Sequence, residues 1–115
     1  MRIRRQFGFE AAHRLPRYPG KCRELHGHSY RLVVTVDRPV DPHTGLGIDF
    51  SELKTIVHRE VVDLLDHRCI NDILDNPTAE VMVRWIWERL TAPLAGLVEV
   101  ELHETRDCSV IYRGE

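Results

Sequence analysis

The chain has 115 residues, of which 30% are charged and 43% hydrophobic, and its formal net charge is -2. The length predicts a single domain over residues 1–115, and the nearly balanced charge argues against nucleic acid as a partner. No apolar run approaches the ~18 residues that a membrane span needs, and no apolar segment follows Met1, so we expect neither a membrane protein nor a signal peptide. Three cysteines without CxxC spacing predict free thiols and a cytoplasmic location.

Two strands open the chain and bring three histidines together. Residues 2–12 alternate between apolar side chains and polar or small ones, and His13 continues the apolar face. A second strand, predicted over residues 28–37, carries apolar residues at even positions, and His26 and His28 extend this parity backwards. If the two strands pair as a hairpin, the three imidazoles meet at its mouth.

Two helices are predicted after the hairpin. Asp49, with Glu52 three residues later, forms a capping-box pattern that predicts a helix ending near Leu65. Residues 66–72 are expected to form a polar break between the helices. Thr78 is the expected N-cap of the second helix.

Two more strands are predicted, at residues 98–103 and 108–113. The order ββααββ predicts an α+β fold, with an antiparallel four-stranded sheet and two helices on one face. Such a small sheet has open edges, so we expect a homo-oligomer that covers them. Val81 and Trp85 are apolar positions outside the inner stripe of the second helix, which also indicates a subunit contact.

The three histidines are the strongest functional signal. His13, His26 and His28 predict a zinc-type site with one position open for water or substrate, although imidazole also suits copper, nickel and iron. Cys22, four residues before His26, allows two interpretations. As a fourth ligand it would close the site and make it structural, whereas a free thiol beside a cation would act as a base or nucleophile. The spacing alone does not decide between them.

Three other positions carry weaker signals. Asp66 could orient the ring of His67 and raise its basicity. Glu104 falls on the apolar parity of its strand, where a carboxylate is costly unless it is paired. It either reaches solvent and pairs with Arg106 or anchors a ligand that has adjacent N–H donors.

A basic loop lies between the first two predicted metal ligands. It is either a solvated loop or a groove for an anionic substrate such as a phosphate ester. Its cationic residues are Arg14, Arg17, Lys21 and Arg23. The remaining cysteines and histidines are expected to be structural or exposed, and they are Cys69, Cys108, His43, His58 and His103.

These residues lie in motifs that resemble those of the 6-pyruvoyl-tetrahydropterin synthase / 6-carboxytetrahydropterin synthase (QueD) family. The motifs are Phe9-Glu-Ala-Ala-His13, Cys22-x-x-x-His26-Gly-His28-Ser-Tyr30, Ile48-Asp-Phe-Ser-Glu-Leu-Lys54, Leu65-Asp66-His67, Asn76-Pro-Thr-Ala-Glu80 and Glu104-Thr105. They extend over nearly the whole chain. Two departures, Val81 and the Gly45-Leu-Gly47 segment, concern helix packing and the pocket wall and touch no matched catalytic position.

The resemblance implies a fold, a cofactor and a set of residue roles. The fold would be the tunnelling fold, in which ββααββ units join their sheets into an oligomeric barrel, commonly a trimer stacked in pairs as a hexamer. The three histidines match the family's zinc ligands, with one Zn²⁺ per subunit. The other matched positions are the catalytic Cys22, the acid/base pair Asp66 and His67, and the pterin-binding Glu104 with Thr105.

The resemblance also implies a reaction. Three residues separate Cys22 from His26, as in the carboxytetrahydropterin type, whereas the pyruvoyl type usually has a longer interval and a third type has glutamate instead of cysteine. The expected activity is zinc-dependent conversion of 7,8-dihydroneopterin triphosphate to 6-carboxy-5,6,7,8-tetrahydropterin, acetaldehyde and triphosphate, a step of queuosine-type 7-deazaguanine biosynthesis. The basic loop is the candidate for binding the triphosphate. The alternatives are a 6-pyruvoyltetrahydropterin synthase and a non-catalytic structural zinc protein closed by Cys22.

Overall fold

A five-stranded sheet packs against two helices, and the computed structural model describes all residues, 1–115. The strands in chain order are β1 (Arg2–His13), β2 (His26–Asp37), β3 (Arg68–Cys69), β4 (Leu97–His103) and β5 (Ser109–Tyr112). Their order in the sheet is β3-β1-β2-β4-β5; β3 is parallel to β1, and all other pairs are antiparallel. The predicted α+β class is therefore confirmed, while the expected count of four strands is wrong by one.

The β1–β2 hairpin has the predicted register. Its strands pair over their whole length, with Ala11 opposite His28 and His13 opposite His26. Directly paired residues project to the same face of a sheet, so all four side chains share the face that packs against the helices. The hairpin mouth therefore gathers the three imidazoles.

The first helix, α1, changes its winding along its length. It begins as Phe50–Val57, widens into π-type turns over His58–Val62 and ends as Asp63–Leu65. The side chain of Asp49 accepts a hydrogen bond from the amide of Ser51 at 2.8 Å, which confirms the predicted N-cap. The π-type turns have no counterpart in the prediction, because the apolar positions on either side keep an ordinary helical spacing.

The second helix, α2, is Ala79–Thr91, and it starts where the sequence predicts. The Oγ1 of Thr78 accepts a hydrogen bond from the amide of Val81 at 3.1 Å, as expected of an N-cap. Its inner stripe joins a hydrophobic core of 22 residues contributed by both helices and the sheet. The fully or nearly fully buried members of this stripe are Met82, Val83, Ile86 and Leu90. No helix combines the length and apolar character that a membrane crossing requires.

The segment predicted as a polar break contains the additional strand. β3 pairs with β1 only at Ala11 and Ala12. His67 precedes it with a φ of 60°, in the left-handed region, and its amide donates to the carbonyl of Glu10 at 2.6 Å. Two residues are too few to show strand alternation in a sequence, so the pairing has no signal there. Beyond this contact the outer edge of β1, from residue 2 to residue 9, has no neighbouring strand, and neither has the outer edge of β5.

Candidate active site

The three predicted metal ligands form one cluster at the hairpin mouth. Each offers one ring nitrogen, and these nitrogens all lie within 4.8 Å of one another. His13 is fully buried, whereas His26 and His28 are partly buried. The rings pack edge to face, with centroids 4.6 Å apart for His13 and His26 and 4.9 Å apart for His26 and His28. Strand alternation therefore predicted the cluster correctly.

Backbone carbonyls fix the tautomers of two of these histidines. The Nδ1 of His13 lies 2.8 Å from the carbonyl oxygen of Pro77, and the Nδ1 of His26 lies 2.8 Å from that of Glu24. A carbonyl oxygen only accepts hydrogen bonds, so each Nδ1 carries the proton and donates it. Each Nε2 is left with a lone pair, which is the form that binds a metal.

The facing Nε2 atoms have no hydrogen bond to make with each other. Those of His13 and His26 are 3.1 Å apart, and the Nε2 of His28 is buried without a hydrogen-bond partner. Two lone pairs at this distance repel each other unless a cation lies beside them. Two imidazole nitrogens on one tetrahedral zinc ion, at Zn–N distances of ~2.0–2.1 Å, would be about 3.3 Å apart. The residues present therefore fit a divalent cation with imidazole ligands.

Burial favours the neutral form of the two ligands on the buried side. The pKa of His13 is lowered from its ordinary value mainly by burial, which the hydrogen bond to Pro77 and the charge of Glu104 oppose. The pKa of His28 is lowered for the same main reason. Because a metal binds the neutral imidazole, His13 and His28 remain available as ligands at a pH where an ordinary histidine is partly protonated.

Two groups that hold His13 in place are not evident from the sequence. One is the carbonyl of Pro77, and the other is the hydroxyl of Tyr30, which lies 3.3 Å from the Nδ1 of His13. The pKa of Tyr30 is raised by burial, so its hydroxyl stays neutral. The sequence predicts a helix N-cap at Thr78, but it does not indicate that the carbonyl of the preceding Pro77 orients a ligand. Both contacts depend on tertiary packing rather than on residue spacing.

Glu104 faces the same cluster from the end of β4. Its carboxylate oxygens lie 3.7 Å from the Nε2 of His28 and 3.9 Å from the Nε2 of His13, and its side chain is partly exposed. The carboxylate of Glu104 therefore lies beside these two histidines, and it forms no ion pair with Arg106. Thr105 is exposed in the turn that follows. A carboxylate between the ligands and solvent can accept two N–H donors from a molecule bound there.

The thiol of Cys22 lies outside the convergent set. Cys22 is partly buried in a 3₁₀ turn, Lys21–Arg23, on the loop that leads into β2. The donor atoms that converge belong to three imidazoles and to no thiol. The site keeps an open position, so this geometry favours a free thiol over a fourth ligand.

Asp66 and His67 contact each other as predicted. The Nδ1 of His67 lies 3.0 Å from the Oδ1 of Asp66. The same oxygen accepts a hydrogen bond from the backbone amide of Glu10 at 2.9 Å. This hydrogen bond is the main reason that the pKa of Asp66 is lowered. The imidazole of His67 is 80% exposed on a residue with left-handed backbone, a strained arrangement that is common at functional sites.

The basic loop is exposed, and both of its ends are fixed. The side-chain Nδ2 of Asn71 donates a hydrogen bond to the carbonyl oxygen of Arg14, and its Oδ1 accepts one from the backbone amide of Arg14. Both distances are 2.9 Å. The amide of Leu15 donates to the carbonyl of Cys22 at 2.7 Å, which closes the loop. The four predicted phosphate-binding cations are exposed, and the ion pairs of the chain involve none of them. They are Arg14, Arg17, Lys21 and Arg23.

Comparisons with known proteins agree with this fold and geometry. Residues 2–115 match the family described as 6-pyruvoyl tetrahydropterin synthase. A 6-carboxy-5,6,7,8-tetrahydropterin synthase from Synechocystis sp. is 44% identical over 117 residues, which cover 96% of this chain and 91% of the relative. A dihydroneopterin monophosphate aldolase from Pyrococcus furiosus is 40% identical over 100 residues, which cover 87% of this chain and 83% of the relative. The structure of the Caenorhabditis elegans 6-pyruvoyl tetrahydropterin synthase matches with a TM-score of 0.90 at 27% identity, covering 100% of this chain and 96% of that one.

The chain therefore belongs to the 6-pyruvoyl tetrahydropterin synthase family, and its fold is the tunnelling fold that the sequence motifs imply. The histidine cluster, the Asp66–His67 contact and the position of Glu104 beside the cluster arise in this chain from its own hydrogen bonds and strand register.

Proposed function

We propose that this protein is a 6-carboxy-5,6,7,8-tetrahydropterin synthase, a lyase that converts 7,8-dihydroneopterin triphosphate and one water molecule to 6-carboxy-5,6,7,8-tetrahydropterin, acetaldehyde and triphosphate. The observation that carries the proposal is the convergence of three Nε2 atoms beside a carboxylate, with a free thiol on the loop between two ligands. Identity to the Synechocystis enzyme supports this choice of product, as does the three-residue interval between Cys22 and His26. The product would serve queuosine-type 7-deazaguanine biosynthesis.

The cofactor that we assign to the three histidines is Zn²⁺, one per subunit. Zinc suits three imidazole ligands with an open position, and the Nδ1 hydrogen bonds of His13 and His26 are contacts of the kind that orient such ligands. When bound, the ion supplies Lewis-acid polarisation of the substrate's side-chain oxygens.

We assign the proton transfers of the reaction to acidic and basic side chains of the chain. Cys22 serves as a base, because a thiol beside a cation loses its proton readily. Asp66, ionised and held by the Glu10 amide, orients the His67 ring for proton transfer. Glu104 binds the guanidine-like edge of the pterin by accepting two adjacent N–H donors.

The basic loop is assigned to the triphosphate, and Thr105 to the rim of the pterin pocket. The cations of the loop are exposed and have no carboxylate partner, so their charge is available to phosphate oxygens. The hydrogen bond from the amide of Leu15 to the carbonyl of Cys22 joins this loop to the residue that carries the thiol. Phosphate binding would therefore also position the base.

The open sheet edges support assembly into a barrel. The outer edge of β5, and that of β1 from residue 2 to residue 9, have no neighbouring strand, and natural proteins usually cover such edges. Closing a sheet into a ring covers them by symmetry. We propose that β5 of one copy pairs with β1 of the next to form a trimer, and that two trimers stack as a hexamer.

In such a closed barrel, residues of two neighbouring copies would together form each active-site pocket. The hairpin mouth, the end of β4 and the start of β5 lie at the same end of the sheet, because these strands pair antiparallel. A neighbouring β5 beside β1 would bring the neighbour's Glu104 towards the exposed His67 of this chain. Cys22 and Glu104 of one copy would then work with Asp66 and His67 of another.

We also propose a cytoplasmic location and a single domain over residues 1–115. The thiols of Cys22, Cys69 and Cys108 are unpaired, which suits a reducing compartment. One hydrophobic cluster joins the sheet to both helices, which supports a single folding unit.

Incubating the zinc-loaded protein with 7,8-dihydroneopterin triphosphate tests the reaction. We expect 6-carboxy-5,6,7,8-tetrahydropterin, identified by mass, together with an equal amount of acetaldehyde. Cys22→Ala should abolish turnover and keep its zinc, because the thiol is not among the converging ligands. Cys69→Ala is the control that should retain both. An active Cys22→Ala would mean that another group is the base, and loss of its zinc would restore the structural interpretation.

The same assay separates the two alternatives. A 6-pyruvoyltetrahydropterin synthase would release triphosphate without acetaldehyde, because it cleaves no carbon–carbon bond. A structural zinc protein would release neither.

A further inference from the structure

A half-exposed tyrosine faces the cleft beside Glu104. The cleft has a volume of about 310 Å³, and its wall includes Glu104, Cys108, Thr78 at the start of α2, and Leu15 and Tyr18 from the basic loop. Tyr18 is the only aromatic residue of this wall and is 51% exposed. The ring therefore offers an accessible apolar face beside a carboxylate.

The position of the ring is set by the loop rather than by the core. The amide of Tyr18 donates to the carbonyl of Leu15 at 3.0 Å, within the turn that the Leu15–Cys22 hydrogen bond closes. The ring lies against Gly20, where an added Cβ would be only 2.7 Å from Cε1 of Tyr18. Any side chain at Gly20 would therefore have to displace the ring.

We propose that Tyr18 is the stacking residue for the pterin ring, an inference that rests on the proposed function. A pterin is flat, so a carboxylate can fix its N–H edge only within the ring plane, and a second contact must cover its face. Tyr18 is the residue of the cleft that offers such a face, while Glu104 offers the edge contact. Aromatic stacking of a heterocyclic base contributes about 1–3 kcal/mol.

The charge of the cleft determines which end of the substrate enters. Glu80 lines the same wall as Glu104, so the cleft presents two carboxylates and no cation. This potential repels the triphosphate and leaves it to the exposed arginines and lysine of the loop. Tyr18 and Cys22 belong to the same loop, which the hydrogen bond between Leu15 and Cys22 closes.

Binding measurements on the zinc-loaded protein test this inference. The probes are pterin, followed by its fluorescence, and inorganic triphosphate, followed by calorimetry. For Tyr18→Ala we expect the Kd for pterin to rise about 5- to 150-fold, with the Kd for triphosphate unchanged. Tyr18→Phe keeps the ring and should restore pterin binding to within about threefold of wild type. Ile73→Ala, which removes an exposed side chain outside the cleft, is the control and should bind as wild type.

Gly20→Ala provides a second variant that keeps Tyr18 but displaces its ring, and it should weaken pterin binding in the same direction. In steady-state assays, Tyr18→Ala should raise KM more than it lowers kcat. The inference is wrong if Tyr18→Ala binds pterin as tightly as wild type, or if its affinities for pterin and triphosphate fall together. A wild-type protein that neither binds pterin nor turns over the substrate would instead refute the proposed function.

Discussion

At the scale of single residues, backbone carbonyl oxygens decide the direction in which two of the three imidazoles point. The carbonyls of Pro77 and Glu24 accept hydrogen bonds from the Nδ1–H groups of His13 and His26, respectively. The Nε2 atoms of these two histidines therefore face each other at 3.1 Å. The identity of the ligands could be predicted, because strand alternation fixes which side chains share a face. The contact of His13 with Pro77 could not, because it joins residues 64 apart and depends on how α2 packs.

The lowered pKa values predict how the metal-free protein responds to acid. In the folded state the pKa values of His13 and His28 lie below the ordinary value of 6.5. As pH falls below 6.5, the unfolded chain therefore binds more protons than the folded chain, and the free energy of unfolding decreases. The slope is at most about 1.4 kcal/mol per pH unit for each histidine. Thermal unfolding of the metal-free protein, followed from about pH 7.5 to about pH 5.5, measures this loss.

Two substitutions test whether His13 and His28 cause this dependence of the free energy of unfolding on pH. His28→Gln should make it shallower, because one of the two shifted groups is gone. His43→Gln should leave it unchanged, because His43 is exposed in a turn. A metal-free wild type that gains stability on acidification would contradict the assignment.

At the scale of elements, the sequence predicted what periodicity and capping chemistry encode. The hairpin register, the N-caps Asp49 and Thr78 and the strand β4 all follow from local patterns. β3 and the π-type turns at His58–Val62 do not. A strand of two residues is too short to show alternation, and the apolar positions of α1 keep an ordinary helical spacing that does not indicate wider turns.

The outer edge of β1 provides a prediction about assembly. Both backbone groups of Glu10 bond outward, its amide to Asp66 and its carbonyl to the amide of His67. Residues two apart in a strand point their backbone groups the same way, so the N–H of Gln6 faces the open edge. Gln6→Pro removes this donor without removing a hydrogen bond to β2. We expect a folded protein with a smaller assembled mass by sedimentation.

Gln6→Ala is the matched control for that experiment. It shortens the same exposed side chain but keeps the N–H, so it should assemble like the wild type. If Gln6→Pro has the wild-type mass, strand pairing at this edge of β1 is not what joins the copies.

At the scale of the whole molecule, the shape of one chain is that of an incomplete unit. Its extents are 54 × 26 × 25 Å and its radius of gyration is 15.1 Å, compared with about 13 Å for a compact chain of this length. The long hairpin therefore extends well beyond a compact outline. The open edges could be predicted from the small number of strands, but which edge pairs with which could not, because that depends on a second copy.

The proposal that neighbouring copies share the pocket predicts that two inactive variants restore each other's activity. Cys22→Ala and His67→Ala each remove one group from every site of their own assembly, so each alone should be inactive. In co-assembled mixtures, about a quarter of the sites would combine an intact Cys22 from one chain with an intact His67 from its neighbour. We expect turnover of 7,8-dihydroneopterin triphosphate to reappear in the mixture. Asp66→Ala mixed with His67→Ala should stay inactive, because both changes damage the same dyad. If neither mixture recovers activity, each copy contains its whole site.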